Sequence, residues 1–451
     1  MGDDDEVYST LRNVFKKQEF RYPQEEIVRA SIKGHDLLVL LPTGHGKSLT
    51  YQLPSVVPSG AGKVTIVISP LLALIANQIT GLHKLKINAV TLNASMEAGE
   101  RKSVLRELTH VRPTVQMLYI SPELCATPGF RKVLRAMYNG TCSIARFVID
   151  EAHCCDEWGS NFRKDYANLN YLREKFPTVP ITALTATAGA KVQKRIIEIL
   201  KLDKRNLRTY KTSVNRPNLH YEVRCFSDPD HHDDIIPDIV QFLTEYKKRR
   251  EASKSTSSGA GIIYCRRKDT VEEVAMELSK AGFGARAFHG SLPTAEKKEV
   301  MDRWVSNVPG YEIVVATVAF GMGVDKPDVR FVVHVDLPAS IETYYQATGR
   351  AGRDGKGARC ILYYSREERS RVLMLNRNDA SSSSTMGLQY LVQYCERTNM
   401  CRHLMLCSYF EQNVPKTSSK EWCFYACDYC KDNRAVRRQA QRLTETESFY
   451  D

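Results

Sequence analysis

No apolar run in the 451-residue sequence approaches the roughly 20 residues of a membrane-spanning helix, so no membrane partner is expected. A basic or apolar leader is also missing. The first residues, Gly2-Asp3-Asp4-Asp5-Glu6, are acidic, the opposite of a secretory or transit peptide, and an intracellular protein is expected. Acid is in deficit overall: 52 Asp and Glu stand against 64 Lys and Arg, a net charge of +12. Such a surplus favours polyanionic partners without selecting one. Internal repeats are absent apart from a two-lobe rhythm. Cysteine is not scarce. Thirteen cysteines in an intracellular chain argue for thiols and metal ligands rather than a disulfide framework. Most, such as Cys142 and Cys360 beside apolar runs, read as buried small hydrophobes.

Through Thr187, short apolar strands alternate with helix-length amphipathic stretches. The strands read Leu37–Leu41, Thr65–Ser69, Met117–Ser121, Phe147–Asp150 and Ile181–Thr185. A second series reads Gly261–Cys265, Ala285–His289, Glu312–Thr317, Val329–Val335 and Cys360–Tyr364. Buried parallel strands joined by helices have this pattern, so the fold class is α/β with two lobes joined within Lys211–Leu219. Glu251–Gly261, which is polar and Gly/Ser-rich, reads as a flexible surface insertion. Asp379–Gly387, with four consecutive serines, reads as a second flexible joint. A helical stretch at Leu388–Phe410 follows, and the basic tail Lys431–Arg442 reads as a helical, solvated face.

The apolar run at Leu37–Leu41 flows into Pro42-Thr43-Gly44-His45-Gly46-Lys47-Ser48 and then a helix. This is the strand, phosphate loop and helix of a nucleotide triphosphatase. Backbone N–H groups of Thr43, Gly44 and Gly46 would point at phosphates, Lys47 would reach the β/γ oxygens, and the Ser48 hydroxyl would ligate Mg²⁺. Leu41 stands where the full pattern has its first glycine. Asp150-Glu151-Ala152-His153 closes a second strand. Carboxylates at strand ends of an open α/β sheet sit beside the phosphate loop. Asp150 is suited to hold Mg²⁺ through water, and Glu151 to orient and deprotonate the attacking water. In the second lobe, Gln346-Ala347-Thr348-Gly349-Arg350-Ala351-Gly352-Arg353 carries two arginines three apart. An arginine finger of this kind can supply ~10³–10⁵ in rate, and placing it on the opposite lobe makes hydrolysis conditional on closure.

Cys401 is followed, after a helix-length gap, by Cys423-Phe424-Tyr425-Ala426-Cys427-Asp428-Tyr429-Cys430. Four thiolates meet tetrahedral Zn²⁺, and the C-x₃-C-x₂-C spacing gathers three of them into one knuckle. Cys395 and Cys407 read as packed on the helix instead.

In order and spacing, from about Leu11 to Lys431, these motifs resemble superfamily 2 helicases, and among them the RecQ family, nearest the Bloom/Sgs-like branch. The resemblance implies two RecA-like parallel-sheet lobes, residues 1–212 (ATP-binding) and 213–378 (helicase C-terminal). It also implies a small helical zinc-binding subdomain at 379–432 and a basic tail at 433–451. Within the catalytic set of Lys47, Glu151, Arg350 and Arg353, Arg353 matches the finger and Arg350 an auxiliary cation. Ala183–Ala188 resembles the motif coupling hydrolysis to DNA binding, and Asp325 matches a ribose contact. Phe20-Arg21-Tyr22-Pro23-Gln24 is similar to the family segment in which Gln24 reads the adenine edge and Arg21 stacks on the ring. Trp158-Gly159-Ser160-Asn161-Phe162-Arg163 resembles the family's aromatic-rich loop, where Trp158 and Phe162 stack on bases and Arg163 adds a cation. Ser69, Ser121, Arg266, His289 and Thr317 match motifs that line a DNA track and grip phosphates without reading bases.

The implied activity is an ATP-dependent 3′–5′ DNA helicase in repair or recombination. ATP, Mg²⁺ and Zn²⁺ are its cofactors, single-stranded and branched DNA its partners, and the nucleus its location. Two alternatives stay open: a DNA-binding remnant with weak or no unwinding, and an RNA helicase. The first rests on departures from the family pattern. Lys16-Lys17 replaces a Gly-aromatic pair, and Asp156, Glu157 and Ser160 replace Ser, Gln and His. The chain also ends soon after the zinc cysteines, short of the winged-helix and HRDC domains many relatives carry.

Overall fold

The computed structural model describes residues 3–70, 72–93, 96–141, 143–155, 164–186, 188–226, 232–253, 259–317, 320, 326–376, 382–411 and 422–445. The chain divides into two compact units, Met1–Ser213 with Met322–Val324, and Val214–Gly321 with Asp325–Asp451.

The first unit is built on seven strands: β1 (Asp36–Leu40), β2 (Val64–Ile68), β3 (Ala89–Thr91), β4 (Met117–Ile120), β5 (Ile144–Ile149), β6 (Ile181–Thr185) and β7 (Leu207–Lys211). Their order across the sheet is β3-β4-β2-β5-β6-β1-β7, and each neighbouring pair runs parallel. Strands β1, β2, β4 and β6 are buried at every position, because helices cover both sheet faces. Apolar residues on the two faces form separate clusters. Leu38, Ile66 and Phe147 belong to one, and Leu37, Val39 and Val148 to the other. At the start of β1, Asp36 is 1% exposed and accepts bonds from the Arg173 guanidinium and the N–H groups of Ile181 and Asp203. This buried pair ties β1 to β6 and to the segment that leads into β7.

The second unit holds β8 (Leu219–Cys225), β9 (Gly261–Tyr264), β10 (Ala285–Phe288), β11 (Ile313–Ala316), β12 (Phe331–His334) and β13 (Ala358–Tyr364). Their order is β10-β11-β9-β12-β13-β8, again all parallel. Edge strand β8 does not end in solvent. The Tyr221 N–H donates to the Ala426 carbonyl at 3.1 Å, and the Val223 N–H to Asp428 at 3.0 Å. The cysteine-bearing module therefore satisfies backbone groups that an open sheet edge would expose.

Two expectations need correction. Residues 382–387 are not a loose joint, because a helix runs Ser382–Glu396. Its Gly387 lies so close to Ser340 and Glu342 that an added Cβ would meet Glu342 Oε2 at 2.5 Å. Tertiary contact thus recruits a serine-rich stretch into helix. The stretch Leu388–Phe410 is not one helix either. A second begins at Arg402, with Cys401 at its N-cap, and ends at Phe410. Residues 254–258 of the Ser-rich insertion lie outside the described residues, and a helix, His232–Ala252, precedes them. The basic tail forms a helix at Asn433–Glu445.

Candidate functional site

Strand β1 delivers the chain into the glycine-rich turn. Leu41 remains strand-like, fully buried, with its N–H donating to the Thr185 carbonyl at 3.2 Å. A glycine there would forfeit that packing. Gly44 and Gly46 follow at φ of 84° and 75°, left-handed conformations that side chains resist. At Gly46 a Cβ would also meet Gln24 Nε2 at 2.5 Å. Lys47 begins the Lys47–Gln52 helix, and its Nζ donates to the Leu41 carbonyl at 3.0 Å.

Arg21 and Gln24 brace this turn. Gln24 Nε2 donates to the carbonyls of His45 and Gly46 at 2.9 and 3.2 Å, and its Oε1 accepts from the Arg21 N–H at 2.9 Å. The Arg21 guanidinium donates to the Gly44 carbonyl at 2.9 Å. Both residues lie against the phosphate loop.

Asp150 follows β5 at the same carboxyl end of the sheet, with β6 lying between β5 and β1. Burial pushes its carboxyl up to about 7, and the neighbouring Glu151 charge adds to this, while the Lys47 ammonium pulls it back. The two motifs are therefore close enough for the Lys47 charge to act on Asp150. Glu151 sits at φ 48°, left-handed for a residue with a Cβ. Its carboxylate lies 3.3 Å from His153 Nδ1, which is also 3.0 Å from the Thr185 hydroxyl at the end of β6. The acidic motif is thereby joined to the Ala183–Ala188 segment. Lys47, Ser48, Asp150 and Glu151 thus lie at the carboxyl end of the sheet, beside the glycine-rich turn. Ser48 and Asp150 have the hard oxygen donors that a magnesium ion prefers.

In the second unit, Arg350 and Arg353 follow the helix Ile341–Thr348, which the Ser340 hydroxyl caps. Both guanidinium groups act on the buried Tyr264 phenol. Burial raises its pKa, and the two positive charges oppose that. Arg350 is itself buried.

The cysteines converge as their spacing predicts. The sulfurs of Cys401, Cys423, Cys427 and Cys430 lie within 4.8 Å of one another, and all four residues are buried. The Cys430 N–H donates to the Cys427 sulfur at 3.3 Å. Hydrogen bonds from the Cys401 and Cys427 thiols hold the Cys423 thiol well below its ordinary range. A closed, buried cluster of four soft donors with amide support fits tetrahedral zinc. Cys395 and Cys407 stay outside it, and burial pushes both thiols up. The knuckle turn passes through left-handed backbone at Phe424 and Tyr425, which are both exposed.

The expected DNA track is mixed in its accessibility. Ser121 caps the helix Pro122–Ala126 through its hydroxyl. Thr317 is half-buried just past β11. Ser69 and His289 are nearly enclosed, at 1% and 4% exposure, and the His289 ring lies 3.0 Å from Glu272. Arg266 pairs with Asp336 and Glu368. Trp158, Phe162, Arg163, Asp156, Glu157, Ser160, Thr187 and Asp325 lie outside the described residues.

Sequence reasoning missed Asn215, Arg216 and Asn218. They fall in the segment read only as a joint, yet Arg216 donates to the carbonyls of Ala351 and Gly352 at 3.1 and 2.9 Å. The available signal was an unusual density of amide and guanidinium groups, Asn215-Arg216-Pro217-Asn218, in a supposed linker.

Three protein-family models match the chain: DEAD/DEAH box helicase over residues 21–196, helicase conserved C-terminal domain over 239–355, and RecQ zinc-binding over 367–431. ATP-dependent DNA helicase Q5 of Rattus norvegicus is 38% identical over 461 residues, covering 98% of this chain and 45% of that protein. RecQ-like DNA helicase BLM of Xenopus laevis is 39% identical over 433 residues, covering 94% of this chain and 30% of that protein. The chain thus spans less than half the length of these relatives. The solved structure of Mycobacterium smegmatis helicase Lhr bound to ssDNA and AMP-PNP shares the fold, with a TM-score of 0.59 at 19% identity. It covers 85% of this chain and 48% of that one. Two parallel sheets, a phosphate loop with paired acids, a four-cysteine cluster and these matches agree: the chain belongs to the RecQ family of helicases.

Proposed function

We propose that this chain is an ATP-dependent DNA helicase that tracks 3′ to 5′ along single strands and separates duplex ahead of it, in DNA repair or recombination. The observation that carries the reading is that the glycine-rich turn after β1 and the acid pair after β5 both lie at the carboxyl end of one parallel sheet, with Lys47 close enough to lower the pKa of Asp150. In this reading, Lys47 and the turn amides bind the phosphates, and Glu151 orients and deprotonates the attacking water. Ser48 and Asp150 would hold Mg²⁺, which when bound would supply charge neutralisation at the phosphates. Arg353 supplies the transition-state cation and Arg350 supports it. Arg21 and Gln24 hold the loop; stacking of Arg21 on the base and reading of its edge by Gln24 require exchange of their present contacts, and Asp325 meets the ribose. Trp158, Phe162 and Arg163, with Ser69, Ser121, Arg266, His289 and Thr317, contact the strand. For Ser69, His289 and Arg266 this requires opening or exchange of their present contacts. Cys401, Cys423, Cys427 and Cys430 would hold zinc, which when bound would stabilise the module that caps β8.

ATPase and strand-displacement assays on 3′- and 5′-tailed DNA duplexes and matched RNA test this. DNA-stimulated turnover with unwinding of the 3′-tailed DNA is expected, and Lys47→Ala should abolish both. Binding without turnover would select the non-unwinding remnant, and RNA preference the RNA helicase. Nuclear placement belongs to the same proposal, and no helix among the described residues is long and apolar enough to cross a membrane.

A further inference from the structure

The segment ahead of β8 makes two sets of contacts within the second unit. On one side it meets the cysteine module. Asn215 Oδ1 lies 2.8 Å from His403 Nδ1, and Asn215 Nδ2 donates to the Trp422 carbonyl at 3.1 Å. The other His403 nitrogen lies 2.9 Å from the Ala426 carbonyl, inside the turn between Cys423 and Cys427. His403 is 1% exposed and sits edge-on to Tyr221, so it has one seat.

On the other side the segment meets the arginine loop. The Arg216 guanidinium donates to the carbonyls of Ala351 and Gly352, and Asn218 Nδ2 donates to those of Gly352 and Lys356 at 2.9 and 3.0 Å. Gly352 itself is left-handed, at φ 57°, and a Cβ there would meet Asn218 Nδ2 at 2.5 Å. The peptide planes on both sides of Gly352 are therefore held by side chains from residues 216 and 218. Those planes set the direction in which the next residue, Arg353, leaves the backbone. A charged donor on two carbonyls is stronger and more directional than a neutral contact.

We infer that Asn215, Arg216 and His403 form a positioning relay through which the four-cysteine knuckle fixes the orientation of Arg353. The inference rests on the reading of Arg353 as the transition-state cation. Asn215 anchors the segment to the knuckle, and Arg216 transmits that anchor to the loop. The helix that leads into the arginine loop is held in the same sense. Tyr345 donates its hydroxyl to the Val214 carbonyl at 2.8 Å and packs its ring 4.9 Å from Phe410 of the module.

The test is a double-mutant cycle on the full chain, with kcat and KM for ATP measured in saturating single-stranded DNA. Zinc content is read by mass spectrometry for every variant. Arg216→Ala should lower kcat by about 10²-fold through misplacement of the catalytic cation. KM and bound zinc should stay unchanged. Arg353→Ala should lower kcat by roughly 10³-fold or more. The double variant should be no slower than Arg353→Ala alone, because residues acting as a unit do not add. Losses that multiply, or a normal kcat in Arg216→Ala, would overturn the relay. Should Arg216→Ala not fold, Arg216→Lys serves in the same cycle: it keeps the charge and loses the two-carbonyl grip, and an unchanged kcat there counts against the relay. His403→Gln should keep zinc and lower kcat; loss of zinc from it would overturn the knuckle limb. Normal turnover in Arg353→Ala alone would instead remove the functional reading of Arg353, a failure distinct from that of the relay.

Discussion

Replacing Asp150 by Asn should make the chain more stable at neutral pH while ending ATP turnover. Burial and the adjacent Glu151 charge raise this carboxyl from 3.8 to about 7, against the pull of Lys47. Between those two values the folded chain keeps a proton that the unfolded chain releases. Stability from this group is therefore complete below about pH 4 and is lost as pH rises through about 7. A gap of about 3 units at 1.36 kcal/mol each is about 4 kcal/mol. Because Asp150 is partly exposed, water screens part of this, and roughly 2–4 kcal/mol is expected. Asn carries no titratable proton and should escape the loss. Urea denaturation of both chains at pH 4.5, 6, 7 and 8, without nucleotide, measures it. The Asn variant should lead by about 1 kcal/mol at pH 4.5 and by more up to about pH 7, above which the lead levels off. Parallel pH–stability curves would refute the reasoning, since they would mean Asp150 ionises as readily folded as unfolded. ATP hydrolysis should be lost in the variant at every pH, the usual conflict between a site's stability and its chemistry.

Three further perturbations test separate parts of the structure. Cys427→Ser should release zinc and forfeit much of the ~10–16 kcal/mol such a site contributes to folding; unchanged metal content by mass spectrometry would count against the knuckle. Asp36→Asn should cost about 2–4 kcal/mol in urea denaturation, because it removes the counterion of the half-buried Arg173 guanidinium. A loss below about 1 kcal/mol would show that this pair does not hold β1 to β6. Gly352→Ala forces a Cβ into left-handed backbone beside Asn218, and should lower kcat for ATP with little change in KM. An unaffected kcat would mean the loop tolerates displacement.

Strands buried on both faces were legible, since β1, β2, β4 and β6 read as unbroken apolar runs. Edge strands were not. Strand β7, Leu-Arg-Thr-Tyr-Lys, is exposed at three of its five positions and looks like linker, and β8, Leu219–Cys225, carries only a short alternation that its pairing with β13 and its cap from the cysteine module make into a strand. The helix from Ser382 was hidden for a related reason, because its anchor is the close approach of Gly387 to Glu342 rather than local propensity.

What the amino-acid order determined alone was the chemistry that neighbouring residues perform together. The phosphate turn, the adjacent acids and the C-x₃-C-x₂-C knuckle each work through short covalent spacing, and spacing is written in the chain. Only the tertiary structure decided which distant groups meet. Asn215 reaches His403 across 188 positions and Arg216 reaches Ala351 across 135. A single hydrogen bond leaves no periodicity in sequence, and its partner is chosen by how β8, the arginine helix and the cysteine module pack.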